Sequence, residues 1–290
     1  MTMRKALAVL LAVVLVCALP SRADALPACS NFFQSGPIVV SADNQTFESV
    51  VITSTNGVAL DTNGHKGIGL LNAVVYHCGG QGYLVNSGAG NWAINVKVVD
   101  TCAPATGQDS NYITDRDIDC ENSADFIGYN LYVQDGSSGI IMHNCVNFRL
   151  TDIQGKNQRG PYPGGQFVAA QSLSYGSLTN FSNFNDPTIS YPEDNISVWN
   201  SQGMTIASGL LDGNNSINGA AIQGDLNAAN VTVSDVDAIH QNNECFAAYG
   251  ASGVYNIFYA NVRCRDMTAS SYRGVGAFRN DQSRSQTTEN

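Results

Sequence analysis

Apolar and polar residues alternate along this chain in short bursts that return at a nearly fixed interval. The segments Val58–Asp61, Tyr83–Asn86, Tyr112–Asp115, Ile140–His143, Gln166–Ala169, Asn195–Val198, Ala221–Gly224 and Cys245–Ala248 start 25, 29, 28, 26, 29, 26 and 24 residues apart. A second alternating segment follows about ten residues after most of them, as in Ala93–Val98, Phe126–Val133, Met204–Leu211, Val231–Val236 and Tyr255–Val262. Period-2 alternation is the mark of a strand with one buried face. Clusters of Asn, Gly, Ser and Asp separate the segments, and these residues accept the left-handed backbone of tight turns.

Strands of three to six residues repeating every 24 to 29, without intervening helices, predict an all-β solenoid. One coil of that length accommodates three short strands and their turns. A β-sandwich of similar composition would place strands every 8–12 residues but gives no reason for a constant offset across eight units. The expected architecture is a parallel β-helix of about nine coils. Its expected divisions are a secretory signal over 1–25, a cap with the first strands over 26–57, the β-helix over 58–278 and a polar, frayed tail over 279–290.

Composition narrows the function. The 290 residues include 28 Gly and 30 Asn, with 14 Lys plus Arg against 24 Asp plus Glu. So acidic a chain has no basic face for nucleic acid, and its 43 % apolar content argues against disorder. Arg4 and Lys5, the apolar run from Ala6 to Pro20 and then Ala23, Asp24 and Ala25 read as a cleavable signal peptide. The run is too short for a membrane anchor. Cleavage would leave 11 basic against 23 acidic residues, a charge of −12. An extracellular or periplasmic, soluble and monomeric protein is expected.

Seven cysteines would then remain, and an oxidising compartment favours pairing. Cys78 and Cys102 lie 24 residues apart and Cys120 and Cys145 lie 25 apart, about one coil each, so stacking brings them within reach of a bond. Cys245 with Cys264 is a less constrained third pair, leaving Cys29 odd. Five Asn-x-Ser/Thr sequons occur, at Asn44, Asn180, Asn195, Asn214 and Asn230, several of them expected by chance where Asn is so abundant.

The run from Asn195 to Gly213, in which two strands flank an Asn-bearing turn, recurs more faintly at 225–236 and 140–153. In this form the chain resembles the right-handed parallel β-helix, or pectate-lyase-like, superfamily. The likeness spans nearly all of residues 37–278 and implies the fold; it does not single out a function. Members are mostly secreted enzymes that cleave or epimerise acidic polysaccharides, alongside tailspikes and adhesins. The Asn-Thr-Asp, Gly-His-Gly and Arg-Ile-Lys signatures of polygalacturonases are absent. So is the Asp-Pro-His-Asp motif of mannuronan epimerases, although Asn185, Asp186 and Pro187 share two letters with it.

On such a solenoid a glycan lies along one outer sheet, between loops at the strand ends. Asp61, Asn86, Asp115 and His143 hold the fourth place of four successive segments and predict an outward polar ladder; local turn capping is the plainer reading. Coils five to eight are richer in chemistry. Lys156 and Arg159 stand out in a base-poor chain, followed by Glu193, Asp194, Asp212, Asp225, Asp237 and His240. Elimination at a uronate needs its carboxylate neutralised and a base for the C5 proton. Lys156, Arg159 and His240 fit those roles, with Asp212 and Asp225 as further catalytic candidates. Glu193, Asp194 and Asp237, together with Asp225, are oxygen donors suited to Ca²⁺. Hydrolysis would instead use two carboxylates such as Asp212, Asp225 or Asp237. Tyr162 and Trp199, with Phe167 and Tyr191, offer sugar-stacking rings, and Asp115 and His143 polar contacts. The expected partner is a polysaccharide. Three functions remain open: a lyase or C5-epimerase on an acidic polysaccharide, a glycoside hydrolase on a neutral or weakly acidic one, and a non-catalytic wall or surface protein.

Overall fold

The computed structural model describes residues 32–106, 114–161, 164–172, 174–216, 219–249, 255–266, 276–281 and 286–289. All its regular elements are strands, and the paired strands of its two sheets run parallel. The chain alternates between a 13-stranded and a 10-stranded sheet, so successive strands of one sheet belong to successive coils. This is the expected all-β solenoid, and the ten rungs of the shorter sheet sit close to the nine coils anticipated. Among the described residues no helix is long and apolar enough to cross a membrane.

The two-strand segments of each coil merge here into one long strand bent at its middle. Asn72, Asn95, Asn130, Asp152, Asn180, Ser208, Asp235 and Asn261 stack in register at the bend, all with φ between 48° and 60°. Their side chains bond along the stack. The Asn95 amide donates to Asn72 (2.9 Å), that of Asn130 to Asn95 (2.9 Å) and that of Asn261 to Asp235 (2.6 Å). Asn and Asp suit this corner because they tolerate left-handed angles. The bend turns each long strand into two faces, and the shorter sheet supplies the third.

Inward positions repeat from coil to coil, so the core is a set of stacks. One runs Tyr83, Ile118, Ile140, Val168, Ile196, Ile222, Phe246, every member buried. Large and small residues alternate where space requires it: a Cβ on Gly209 would lie 2.0 Å from the Phe181 ring of the preceding coil. All three expected disulfides are present, Cys78–Cys102, Cys120–Cys145 and Cys245–Cys264. Cys29, the signal segment and Tyr162 lie outside the described residues.

The register corrects the predicted ladder at two places: Asp61 pairs with Leu84, two residues short of Asn86, and Asp115 lies off the row. Tyr83 pairs with Ile118, 35 residues on, and Ile118 with Ile140, 22 on. A long connection followed by a short coil mimics two average repeats. The residue that stacks between Asn86 and His143 is therefore Glu121, and Asp115 precedes the strand Arg116–Glu121. Asp115 is buried and accepts a 2.8 Å bond from the Gly79 amide. Gln286–Glu289, in the segment expected to fray, pairs with Tyr255–Ala260. Two of the sequons are closed to modification in the folded chain, since Asn195 is 0 % and Asn214 3 % exposed.

The corner stack predicts a specific weakness. Asn95→Ala removes one bond to Asn72 and one from Asn130 and puts a Cβ without compensation at φ 55°. It should lose about 2 kcal/mol in urea unfolding, whereas Asn→Ala at the exposed Asn56 should change stability by less than about 0.5 kcal/mol.

A candidate carboxylate groove on the shorter sheet

The outer face of the shorter sheet carries two rows of side chains. In the first, Ile141, Ala169, Ser197 and Gln223 follow one another over four coils, and all are buried although they point away from the core. Segments at the strand starts account for part of that cover, with the Asp194 carboxyl near the Ser197 hydroxyl. In the second row Glu121, His143, Gln171, Trp199 and Asp225 stand on successive coils and are half-buried. Rungs are spaced about 4.8 Å apart. The first row is thus covered by protein, and the half-buried second row beside it forms the groove, the strip of this face that is open to solvent.

Glu193 closes the groove beside Asp225, and its backbone is gripped on three sides. Its N–H donates to the Gly164 carbonyl (2.8 Å) and its carbonyl accepts from the Asn214 amide (3.0 Å). Gly219 lies against that carbonyl so closely that a Cβ there would sit 1.2 Å from the oxygen. Beneath the segment Asp186–Asp194 the core turns polar. The Asn195 side-chain oxygen accepts from Asn183 (2.7 Å) and Asn185 (2.9 Å), and its amide donates to Gln241 (3.2 Å). These buried amides tie the segment to the coils, because any that lost its partner would carry a desolvation cost of about 1–3 kcal/mol.

Three carboxyl groups meet at this wall. Burial first, and the neighbouring Asp225 second, push Glu193 up to about 7. Asp194, fully enclosed, is raised well above the ordinary aspartate range by burial and then by Glu193. Burial also raises Asp225, against the lowering effect of bonds from the Leu226 amide and Gln223. Gln166 donates to Glu193 Oε2 at 3.2 Å and Asp194 Oδ1 accepts from the Ala220 amide at 2.8 Å, while Asp194 Oδ2 has no partner among the described residues. Two neighbouring half-buried carboxyl groups, both raised and Glu193 to about 7, can act as an acid and a base near neutrality.

The groove brings together five residues singled out in the sequence: His143, Trp199, Asp225, Glu193 and Asp194. The other described candidates lie elsewhere. Lys156 is exposed on the longer sheet, in the lateral row of Phe184 and Asp212. Arg159 is largely buried and ion-paired with Asp135 (2.8 Å). Asp212 bonds His240 on the longer sheet. Asp237 also lies on that sheet, held by Arg263 (2.5 and 2.9 Å) and Arg265 (2.9 Å). The expected Ca²⁺ donors are thus divided between two sheets, and no three His, Cys, Asp or Glu among the described residues are grouped to hold a metal. Gln171 and Gln223 were not singled out; the 28-residue step from His143 would have found Gln171.

No protein-family model matches the chain, and no curated protein matches it in sequence. Solved structures do match in fold. A surface adhesin of Streptococcus pneumoniae, PfbA, superposes with a TM-score of 0.54 at 10 % identity over 81 % of this chain. The catalytic domain of a GH87 alpha-1,3-glucanase, in complex with tetrasaccharides, gives 0.50 at 12 % over 88 %. The matched regions span 64 % of the adhesin chain and 55 % of the glucanase chain. These likenesses are ones of fold: the chain is a parallel β-helix, as its repeats implied.

Two measurements check the wall. In a carboxyl-resolved NMR titration Glu193 should titrate at about 7, and Asp225→Asn should move it down without returning it to the ordinary range, since burial is the larger cause. Gly219→Ala should destabilise the protein by at least about 2 kcal/mol in thermal unfolding, because the Glu193 carbonyl must yield.

Proposed function

We propose that the protein is an extracellular glycoside hydrolase acting on a neutral or weakly acidic glycan laid along the shorter sheet. The observation that carries this reading is the pairing of Glu193, raised to about 7, with Asp225 beside a half-buried Trp199. Three disulfides suit an oxidising compartment. The similarity to the glucanase is one of fold and adds only that such a solenoid can hold an oligosaccharide.

In this mechanism Glu193 is the general acid. Still largely protonated below neutrality, it gives its proton to the glycosidic oxygen as the C–O bond breaks. Asp225, ionised, stabilises the positive charge that develops at the anomeric carbon and accepts the proton of the attacking water. Trp199 offers its ring to the apolar face of a sugar, and Gln171 and His143, one and two rungs further, supply hydrogen bonds to hydroxyls. Bound sugar excludes water and strengthens the effect of Asp225.

Elimination fits this groove less well. It needs a cation to neutralise the uronate and a base for the C5 proton. Lys156 lies on the other sheet, and the Arg159 guanidinium is taken up by Asp135. The ionised Asp225, with no free cation beside it in the row among the described residues, would repel a polyuronate.

Reducing-end release from a panel of neutral glucans, against pectate and alginate as acidic controls, tests the proposal. Activity should fall as the pH rises through about 7, where Glu193 loses its proton, and fall again in acid as Asp225 takes one up. Glu193→Gln should reduce kcat at least about a hundredfold and Trp199→Ala should raise KM about tenfold. A rise in absorbance from unsaturated products on pectate or alginate, retained in Glu193→Gln, would overturn hydrolysis in favour of a lyase.

A further inference from the structure

A second constellation lies on the longer sheet. Asp212 is followed in its row by Ile239 on the next coil, where the adjacent His240 places its Nδ1 2.7 Å from Asp212 Oδ1. Beside them opens a cavity of about 420 Å³ whose lining includes Phe184, Pro187, Asp212, Asn215, His240 and Asn242. Phe184 is 49 % exposed on the rung directly before Asp212, and the exposed Lys156 stands one rung earlier.

His240 is the informative residue. It occupies a coil corner with φ 55°, a place filled on other coils by Asp135, Asn157, Gly213 and Asp266, also at positive φ. Those types meet the conformational demand of the corner by themselves. An imidazole adds nothing to the turn that Asn would not, and its ring is half exposed. With Nδ1 on Asp212, its Nε2 has no partner among the described residues. The asparagines of the lining hold the wall: Asn214 bonds Glu193 and Ala220, and Asn215 bonds the Pro187 carbonyl.

An exposed flat ring next to a fixed carboxylate–imidazole pair, in a cavity a few hundred Å³ in volume, is suited to a sugar. The ring takes the C–H face, while Asp212 accepts from and the imidazole bonds to adjacent hydroxyls. A hydrophobic ligand would take water from the outward atoms of that pair without replacing its hydrogen bonds. Among the described residues of the lining Asp212 is the one carboxylate, whereas hydrolysis of a glycoside uses two.

We propose that this pocket is an anchoring site for a neutral glycan, separate from the carboxylate groove and binding one or two hexose residues without cleaving them. The class of ligand rests on the function proposed for the groove; the site itself rests on the cavity, the Asp212–His240 pair and Phe184. It would hold a polysaccharide against the longer sheet while another stretch of chain occupies the shorter one.

The experiment uses full-length Glu193→Gln protein, to prevent turnover, titrated with glucan hexasaccharides while backbone amide resonances are followed. Amides at Phe184, Asp212–Asn215 and His240 should shift as a set, with an affinity distinct from that of the groove amides at Ser197, Trp199 and Asp225. In that background Phe184→Ala and His240→Ala should each weaken the pocket set about tenfold and leave the groove set unmoved. In otherwise unaltered protein Phe184→Ala should lose retention on insoluble glucan while kcat/KM on soluble oligosaccharides stays within about twofold. Shifts in the pocket alone would support the anchor and overturn the hydrolytic groove. Shifts in the groove alone, or Phe184→Ala and His240→Ala titrations identical to those without the substitution, would overturn the anchor.

Discussion

Everything in this molecule depends on the hydrogen bonding of each coil to the next. Strands of one sheet pair only with their counterparts on neighbouring coils, so the backbone of every coil must follow the path of the one before it. Corners therefore fall above corners and inward residues above inward residues. Left-handed angles recur at fixed places, and a side chain at one rung meets its equivalent about 4.8 Å away. Core stacks, amide ladders and the alignment of functional residues into rows are consequences of that one rule.

The same rule explains how much could be read beforehand. A repeated path leaves a repeated pattern, so the solenoid, the approximate coil length and the three disulfides were all visible in the spacing of apolar residues and cysteines. Where the path was interrupted the reading failed. The connection before Arg116 lengthens one coil and the next is short, so average spacing promoted Asp115 to a place that belongs to Glu121. The site was harder to read for a different reason. Lys156, Asp212 and His240 are near in sequence to Glu193 and Asp225, but they occupy another face of the coil. Sequence proximity within a coil says little about shared faces until the bend in the long strand is known. His143, Trp199 and Asp225 separate widely in sequence and yet form one row, because they share a register.

The groove is also where the regular pattern gives way. Through most of the coils the inward stacks are apolar, although a buried His77–Asp117 pair interrupts them near the start. Beneath Asp186–Asp194 asparagines enter the core and bond one another, and above them Glu193 and Asp194 are held in surroundings that resist their ionisation. A carboxyl group kept partly protonated near neutrality is costly to the fold, and the backbone grip on Glu193 is the compensation that holds it in place.

The burial of Asn195 and Asn214 has a consequence for how the chain can be made. Both lie in sequons that the glycosylation machinery of a eukaryotic secretory pathway reads while the polypeptide is still emerging and unfolded. A glycan attached to Asn195 at that stage would occupy the position that its amide must take between Asn183, Asn185 and Gln241. The coil could not then close on its neighbour, and each later coil would lack the template on which it assembles. The amide network thus divides production hosts into those that leave nascent asparagines bare, where the solenoid can form, and those that would cap the chain before its seventh rung is laid down.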